Sequence, residues 1–165
     1  MAWTSPATWV AGAIPTAAWL NAQIRDNFKA IGDPWTAYTP TWTASTTNPN
    51  LGNGAITGGY MQAGQFTNFW AKIVMGSTTT YGTGQWFLSL PVLASTSGFL
   101  RASFTGIAFD ASASARYTIQ TGTNAGALFC APTTAGGALR AVTAAAPFTW
   151  ASGDDLYLAG TYEAA

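Results

Sequence analysis

The chain has 165 residues, and six Lys and Arg balance six Asp and Glu, so the formal net charge at pH 7 is zero. The charged fraction is 7%, against about 25% in ordinary soluble domains, whereas aromatic residues reach 14%. Six scattered cations form no basic patch, which argues against nucleic-acid binding. The lack of histidine excludes a His base, a His metal ligand and a Ser-His-Asp triad.

The sequence also argues against membrane insertion and secretion. No apolar run approaches the length of a membrane span, and residues 1–6 lack the basic region of a signal peptide. We therefore expect a protein made in a cytoplasm and without membrane contact. Cys130 is the single cysteine, so a disulfide framework and a zinc spacing are excluded, and a buried apolar role is the simplest interpretation.

The first fifteen residues have the composition of an extended arm. They carry Trp3, Trp9 and Val10 among small residues, together with two prolines. We expect the aromatic side chains of this arm to insert into pockets. Those pockets lie either on the chain's own domain or on another subunit.

Residues 16–32 are the one convincing helix of the sequence. Thr16 is a good N-cap, and Gly32 is expected to take the left-handed position that ends the helix before Pro34. Steps of three and four place five side chains on one apolar stripe: Ala17, Leu20, Ile24, Phe28 and Ile31. A helix this short is marginal alone in water, so we expect the stripe to dock on its own sheet, on other copies of the chain, or on a larger particle.

The rest of the chain has the pattern of a β domain, with short runs divided by Gly and Asn. Strands are predicted at residues 35–43, 56–62, 65–75, 86–90, 99–109, 116–120, 128–131, 138–143 and 155–162. Pro40 restricts the first of them to an edge strand or a bulge. We therefore predict a mainly β fold, with an arm and anchoring helix at residues 1–33 and an antiparallel β-sandwich or jelly-roll-like domain at residues 34–165.

Few residues could carry chemistry. The candidates for a carboxylate pair or a metal site are Asp110, Asp154, Asp155 and Glu163. Adjacent aspartates before a strand are usually turn residues that accept hydrogen bonds from local backbone N–H groups. The loop at residues 76–84 (GSTTTYGTG) lacks the Lys-Ser/Thr ending of a phosphate-binding loop. We expect no catalytic residue, no metal and no cofactor.

Aromatic side chains offer a different kind of site, because exposed rings can stack on sugars at a bacterial surface. We expect Tyr60 and Trp86 to belong to the core. Tyr81 and Tyr117 are the candidate ligand-facing residues, and Tyr81, in its Thr-rich loop, is expected to be the more exposed.

Two segments, which together span roughly a third of the chain, resemble structural proteins of tailed bacteriophages. The first resembles an N-terminal segment that many of them share, through residues 9–12 (WVAG), 16–21 (TAAWLN) and 25–27 (RDN). The second is similar to a β domain often joined to that segment in phages of actinobacteria, through residues 58–64 (GGYMQAG), 76–84 and 88–91 (LSLP). The resemblance implies an accessory virion structural protein of the minor tail, head-fibre or capsid-decoration type, commonly a trimer.

We therefore expect a non-enzymatic virion protein that assembles in the host bacterial cytoplasm. Our leading hypothesis is a homotrimeric accessory subunit on the capsid surface, bound to the major capsid protein, because 165 residues leave no long shaft for a tail fibre. The alternative is a tail-tip or tail-fibre module that contacts other tail proteins and binds a host-surface glycan or receptor. The candidate anchoring or oligomer-interface residues are Trp3, Trp9, Leu20, Ile24, Phe28 and Ile31.

Overall fold

A computed structural model describes residues 4–95, 103–121, 128–130 and 139–165, with the backbone alone described at residues 103, 121 and 128–130. Four expectations fall wholly or partly outside the described residues. They are the role of Trp3, the start of the strand predicted at residues 99–109, the burial of the Cys130 side chain, and one end residue of each strand predicted at residues 128–131 and 138–143.

The helical segment begins at the predicted residue but is not a uniform α-helix. It consists of α1 (Ala17–Leu20), one π-helical turn (Asn21–Arg25) and α2 (Asp26–Gly32). The Thr16 hydroxyl accepts a hydrogen bond from the backbone N–H of Trp19 at 3.2 Å, which confirms the predicted N-cap.

The end of the helix differs from the prediction. Gly32 is the last residue of α2 and has no positive φ, so the left-handed conformation expected there is wrong. Asp33 instead leaves the helix in an extended conformation, with φ −68° and ψ 151°, while its N–H still donates to the carbonyl of Lys29. No left-handed residue is needed because the chain runs straight on toward Pro34 and the first strand.

The π-helical turn changes which side chains share a face. The N–H of Asp26 donates to the carbonyl of Asn21, five residues back, so this turn holds one residue more than an α-helical turn. The extra residue rotates the two flanking helices by about 100° relative to an uninterrupted α-helix. The predicted stripe is therefore interrupted between Leu20, which is partly buried, and Ile24, which is exposed.

The β region begins directly after the helix. Its ten described strands are β1 (Thr36–Tyr38), β2 (Trp42–Ala44), β3 (Ala55–Ala63), β4 (Phe66–Val74), β5 (Trp86–Leu88), β6 (Ser103–Asp110), β7 (Ala115–Thr121), β8 (Leu128–Cys130), β9 (Arg140–Ala141) and β10 (Asp155–Glu163). The fold is mainly β, as predicted.

The strand predicted at residues 35–43 is two strands. Pro40 is buried between β1 and β2, and the two strands join different sheets. Because proline has no N–H to donate, the ladder stops there, and β1 is an edge strand of the main sheet.

Eight strands form one antiparallel sheet in the order β1-β3-β4-β10-β6-β7-β8-β9. The last strand of the chain, β10, inserts between β4 and β6 and pairs with both over most of its length. The centre of this main sheet therefore forms only after the C-terminal residues have joined it.

The strands β2 and β5 form a second, small antiparallel sheet that covers one face of the main sheet. Trp42 and Trp86 of the small sheet meet edge to face at 4.7 Å between ring centroids, and Trp86 also contacts Trp150 at 5.0 Å. The core that the two sheets share includes Phe69, Ala71, Ile73, Ala108, Ile119, Leu156 and Leu158. Together the two sheets form a sandwich of unequal layers.

Candidate attachment surface

The N-terminal arm runs back along the polar side of the helix. The Asn27 side-chain amide accepts from the N–H of Thr4 and donates to its carbonyl, both at 2.9 Å, and the same amide nitrogen donates to the carbonyl of Gln23 at 3.1 Å. The Gln23 side-chain oxygen accepts from the N–H of Ala7 at 2.7 Å. Asn27 is buried although it is an amide, because the arm covers it.

A tight turn reverses the arm before the helix begins. The N–H of Ala13 donates to the carbonyl of Val10 at 3.1 Å, and Gly12 lies at φ +84°. A turn with positive φ at its third residue favours glycine there, since a Cβ would be strained. The turn brings Trp9 against Trp19, edge to face with centroids 4.2 Å apart.

The same turn encloses a cavity of about 260 Å³ beside the start of the helix. The residues that line it are Ala7, Thr8, Trp9, Val10, Ala13, Ile14, Pro15, Thr16 and Trp19. No charged side chain is among them, so the cavity suits an apolar group.

With the arm on its polar side, the helix turns its apolar side to solvent. Ile24 is 45% exposed, Phe28 72% and Ile31 53%. The arm adds Trp9, Val10 and Ile14, each more than half exposed. We call these six residues the attachment surface.

The charges around this surface are paired within the helix. Arg25 Nε lies 2.8 Å from Asp26 Oδ1, and Lys29 Nζ lies 2.9 Å from Asp33 Oδ1 at the i,i+4 spacing. The hydrogen bond from Arg25 to Asp26, and then the charge of that carboxylate, raise the pKa of the Arg25 guanidinium above its ordinary value. The two ion pairs therefore leave no net formal charge around the attachment surface, which offers a partner apolar side chains.

The buried side of the helix faces the edge of the main sheet. Ala30 is buried, and α2 contacts β3. A cleft at this contact is lined by Ala30, Asp33, Pro34, Thr36, Tyr60, Met61 and Gln62. The helix thus lies against its own β domain on the side of Ala30, and Ile24, Phe28 and Ile31 stay uncovered.

Four of the candidate anchoring residues are exposed on the arm and the helix: Trp9, Ile24, Phe28 and Ile31. Leu20 lies apart from them, partly buried beyond the π-helical turn. Sequence reasoning missed Gln23 and Asn27, which hold the arm in place. Their signal was present, because the two amides are spaced i,i+4 and so lie on one side of the helix, next to the stripe.

The acidic residues serve turns and one surface ion pair. The buried carboxylate of Asp154 accepts from the N–H groups of Ala111 and Ala151. Asp110 accepts from the N–H of Ser112 in its own turn, and Asp155 lies 3.3 Å from Lys72. The role predicted for the adjacent aspartates, to accept hydrogen bonds from local backbone N–H groups, is confirmed for Asp154 through the N–H of Ala151, and Asp110 has the same role.

The two candidate ligand-facing tyrosines pack against other rings. Tyr81 is partly buried and stacks on Trp86 with ring centroids 6.4 Å apart. Burial and, after it, the charge of Asp154 raise the pKa of the Tyr81 hydroxyl. Tyr117 is partly buried and packs on Phe148, with ring centroids 5.1 Å apart. As predicted, Trp86 is in the core, and Tyr60 packs against that core while remaining partly buried.

Two further observations bear on the kind of site present. Among the residues that the structure describes, no three His, Cys, Asp or Glu side chains are grouped so as to hold a metal ion. No helix within the described ranges has the length and apolar character needed to cross a membrane.

Comparison of the chain with protein-family models, curated proteins and solved structures gave no significant match.

Proposed function

We propose that this chain is a non-enzymatic structural protein of a bacteriophage virion, a homotrimeric accessory subunit on the capsid surface. It attaches to the particle through the arm and the helix, and its β domain projects outward. The proposal rests on the sequence resemblance to phage structural proteins together with the character of the attachment surface.

One observation carries the attachment role. The helix covers its polar side with the chain's own arm and leaves Ile24, Phe28 and Ile31 in solvent. A helix that served only its own fold would place those three side chains against the sheet, since burying each of them stabilises a protein by about 1.5–3 kcal/mol. Their exposure indicates a partner.

The partner that suits this surface is a protein of the particle. The surface carries large apolar side chains and self-paired charges, and contiguous apolar patches of this kind mark protein interfaces. The major capsid protein is the proposed partner, in line with the sequence resemblance to accessory virion proteins.

The competing function is glycan or receptor recognition at the tail tip. It has less support, because Tyr81 and Tyr117 each use part of their ring surface for contacts inside the domain.

Attachment can be tested with Phe28→Ser. Particles assembled without this chain are mixed with the purified protein, and the bound fraction is measured by co-sedimentation. If Phe28 is buried against the particle, we expect at least about tenfold weaker attachment, which corresponds to roughly 1.4 kcal/mol.

Leu93→Ser is the matched control, because Leu93 is 77% exposed on the β domain and Phe28 is 72% exposed. The control should attach like the wild type. Both variants should keep the wild-type melting temperature, since neither side chain is buried in the isolated chain. Equal attachment by all three proteins would contradict the proposed role of the helix.

A further inference from the structure

The main sheet has a second uncovered apolar face. Of the twelve exposed large apolar side chains among the described residues, six form the attachment surface and three lie on the outer side of the sheet, two of them side by side and Phe66 six residues further along β4, roughly 20 Å away. Those three are Phe66, Ile107 and Tyr157, which are 48%, 43% and 41% exposed. They point away from the core, because the alternating residues Thr67, Phe69, Leu156 and Leu158 are buried.

The strand registers define this outer sheet face. Across β3, β4, β10, β6 and β7 one row is Thr57, Lys72, Tyr157, Ile107 and Thr118. The next row is Gly59, Trp70, Ala159, Thr105 and Gln120. A third row is Ala55, Val74, Asp155, Phe109 and Arg116. Ile107 lies near the centre, next to Tyr157 on β10 and two residues from Phe109 on its own strand, while Trp70 and Val74 on β4 are the other large apolar residues of these rows.

Trp70 makes the face flat rather than ridged. Its indole ring lies over Gly59 on the neighbouring strand, where an added Cβ would stand 2.7 Å from Nε1. The ring can fold down onto the strand only because that position has no side chain. Its other neighbour across the ladder, Ala159, is also small.

The charges of the face cancel. Lys72 pairs with Asp155 at 3.3 Å, and the Arg116 guanidinium lies 5.2 Å from the centroid of the Phe109 ring. Glu163 lies opposite Phe66 at the end of β10. The outer sheet face therefore carries two cations, Lys72 and Arg116, and two anions, Asp155 and Glu163. A second copy of the same surface would meet no net repulsion.

The size of the face also suits a partner of the same kind. Five strands about 4.8 Å apart and up to nine residues long, at about 3.4 Å per residue, span roughly 20 Å by 30 Å, or about 600 Å². A standard protein interface buries about 800 Å² on each partner, so the face supplies most of one.

We infer that the outer sheet face is the surface through which copies of this chain assemble, with Ile107, Tyr157 and Trp70 at its centre. This deepens the proposed function, because it assigns self-association to the sheet and leaves the attachment surface for the particle. Around a threefold axis, the outer faces of three copies enclose a common apolar core.

The test is the mass of the purified chain in solution, measured by light scattering after size-exclusion chromatography. The wild type should be an oligomer of the 17.1 kDa chain. Ile107→Glu places an unpaired charge at the centre of the face and should weaken self-association at least 100-fold, giving monomers. Ile107→Thr keeps a β-branched residue in the strand and should weaken self-association about tenfold. Leu93→Glu should leave the oligomeric mass unchanged.

Three results would overturn the inference. The first is a wild-type chain that stays monomeric at its highest soluble concentration. The second is an oligomer that survives both substitutions at Ile107 but dissociates with Phe28→Ser, since the copies would then meet through the helix. The third is a monomer that binds neutral oligosaccharides on a glycan array and loses that binding with Trp70→Ala, which would make the face a sugar platform.

The same set of variants separates this inference from the proposed function. If wild-type chains assemble through Ile107 but do not attach to particles, the sheet assignment stands and the virion role fails. If chains attach through Phe28 while Ile107→Glu keeps its oligomeric mass, the virion role stands and the sheet assignment fails.

Discussion

The attachment surface and the outer sheet face are both apolar and uncovered, but they are built in different ways. The attachment surface joins two segments through a few side-chain amide contacts, notably Asn27 with Thr4 and Gln23 with Ala7. The outer sheet face rests on strand ladders that continue into the core. The first can rearrange on a partner at small cost, whereas the second is a rigid plane that requires a partner of matching shape.

The difference suits two distinct partners. A surface made of an arm and a short helix can adapt to the curved exterior of a particle, and its cavity of about 260 Å³ can accept an apolar side chain. A flat and charge-balanced sheet face suits another copy of the chain, since it presents that copy with no net charge.

The largest expected effect comes from combining the two surfaces. Ile107→Glu leaves the attachment surface intact, but a monomer makes one contact with the particle where an oligomer makes several. We expect its attachment to fall by about 100-fold through lost multivalency, in the co-sedimentation assay. Phe28→Ser should weaken attachment without changing the oligomeric mass. If Ile107→Glu became monomeric and still attached like the wild type, each copy would be binding independently.

A smaller effect should follow from releasing the arm. Asn27→Ala removes both hydrogen bonds to Thr4, and we expect a loss of about 1–3 kcal/mol in the docking of the arm. Hydrogen exchange at the Thr4 N–H should accelerate, and attachment should weaken, because the arm that carries Trp9 and Val10 is held less firmly to the helix.

Asn21→Ala is the control for that change, because Asn21 is an exposed amide on the same helix. It should leave the exchange rate at Thr4 unchanged. The oligomeric mass should be unaffected in both variants. Unchanged exchange in Asn27→Ala would show that the arm is held by contacts other than this amide.

The smallest expected effect is a loss of folding stability in acid, and it is confined to the β domain. Hydrogen bonds from the Ser112 hydroxyl and the Ala113 N–H lower the pKa of the exposed Asp110 carboxyl. The Asp110 carboxyl therefore binds its proton less readily in the folded state than in the unfolded state. The stabilisation is present above the unfolded pKa and is lost as the pH falls through the lowered value.

Melting temperatures between pH 2 and 6 should show this loss in the wild type and less of it in Asp110→Asn. An identical pH dependence in the two proteins would remove the role assigned to Asp110. The attachment surface should not share this dependence on Asp110, because that residue is the last of β6 in the β domain.

Local signals in the sequence predicted the elements well. The Thr16 cap, the β character after Pro34 and the edge position enforced by Pro40 all follow from the chemistry of one or two neighbouring residues. The apolar stripe also predicted that Ile24, Phe28 and Ile31 share a face. Periodicity identifies such a face but does not say whether the chain covers it.

The missed features depend on contacts between distant residues. The orientation of the helix depends on Asn27 meeting Thr4, 23 residues away. The packing of Tyr81 depends on the position of Trp86 within the core. The insertion of β10 between β4 and β6 pairs the end of the chain with its middle, and no local pattern encodes that choice.

The most direct test of the central claim is an image of the particle at a resolution that places side chains. The account predicts Ile24, Phe28 and Ile31 buried against a capsid protein, with Ile107 and Tyr157 facing another copy of the chain. An image in which the helix stripe lies in solvent, or in which the helices of several copies meet on the symmetry axis, would contradict it.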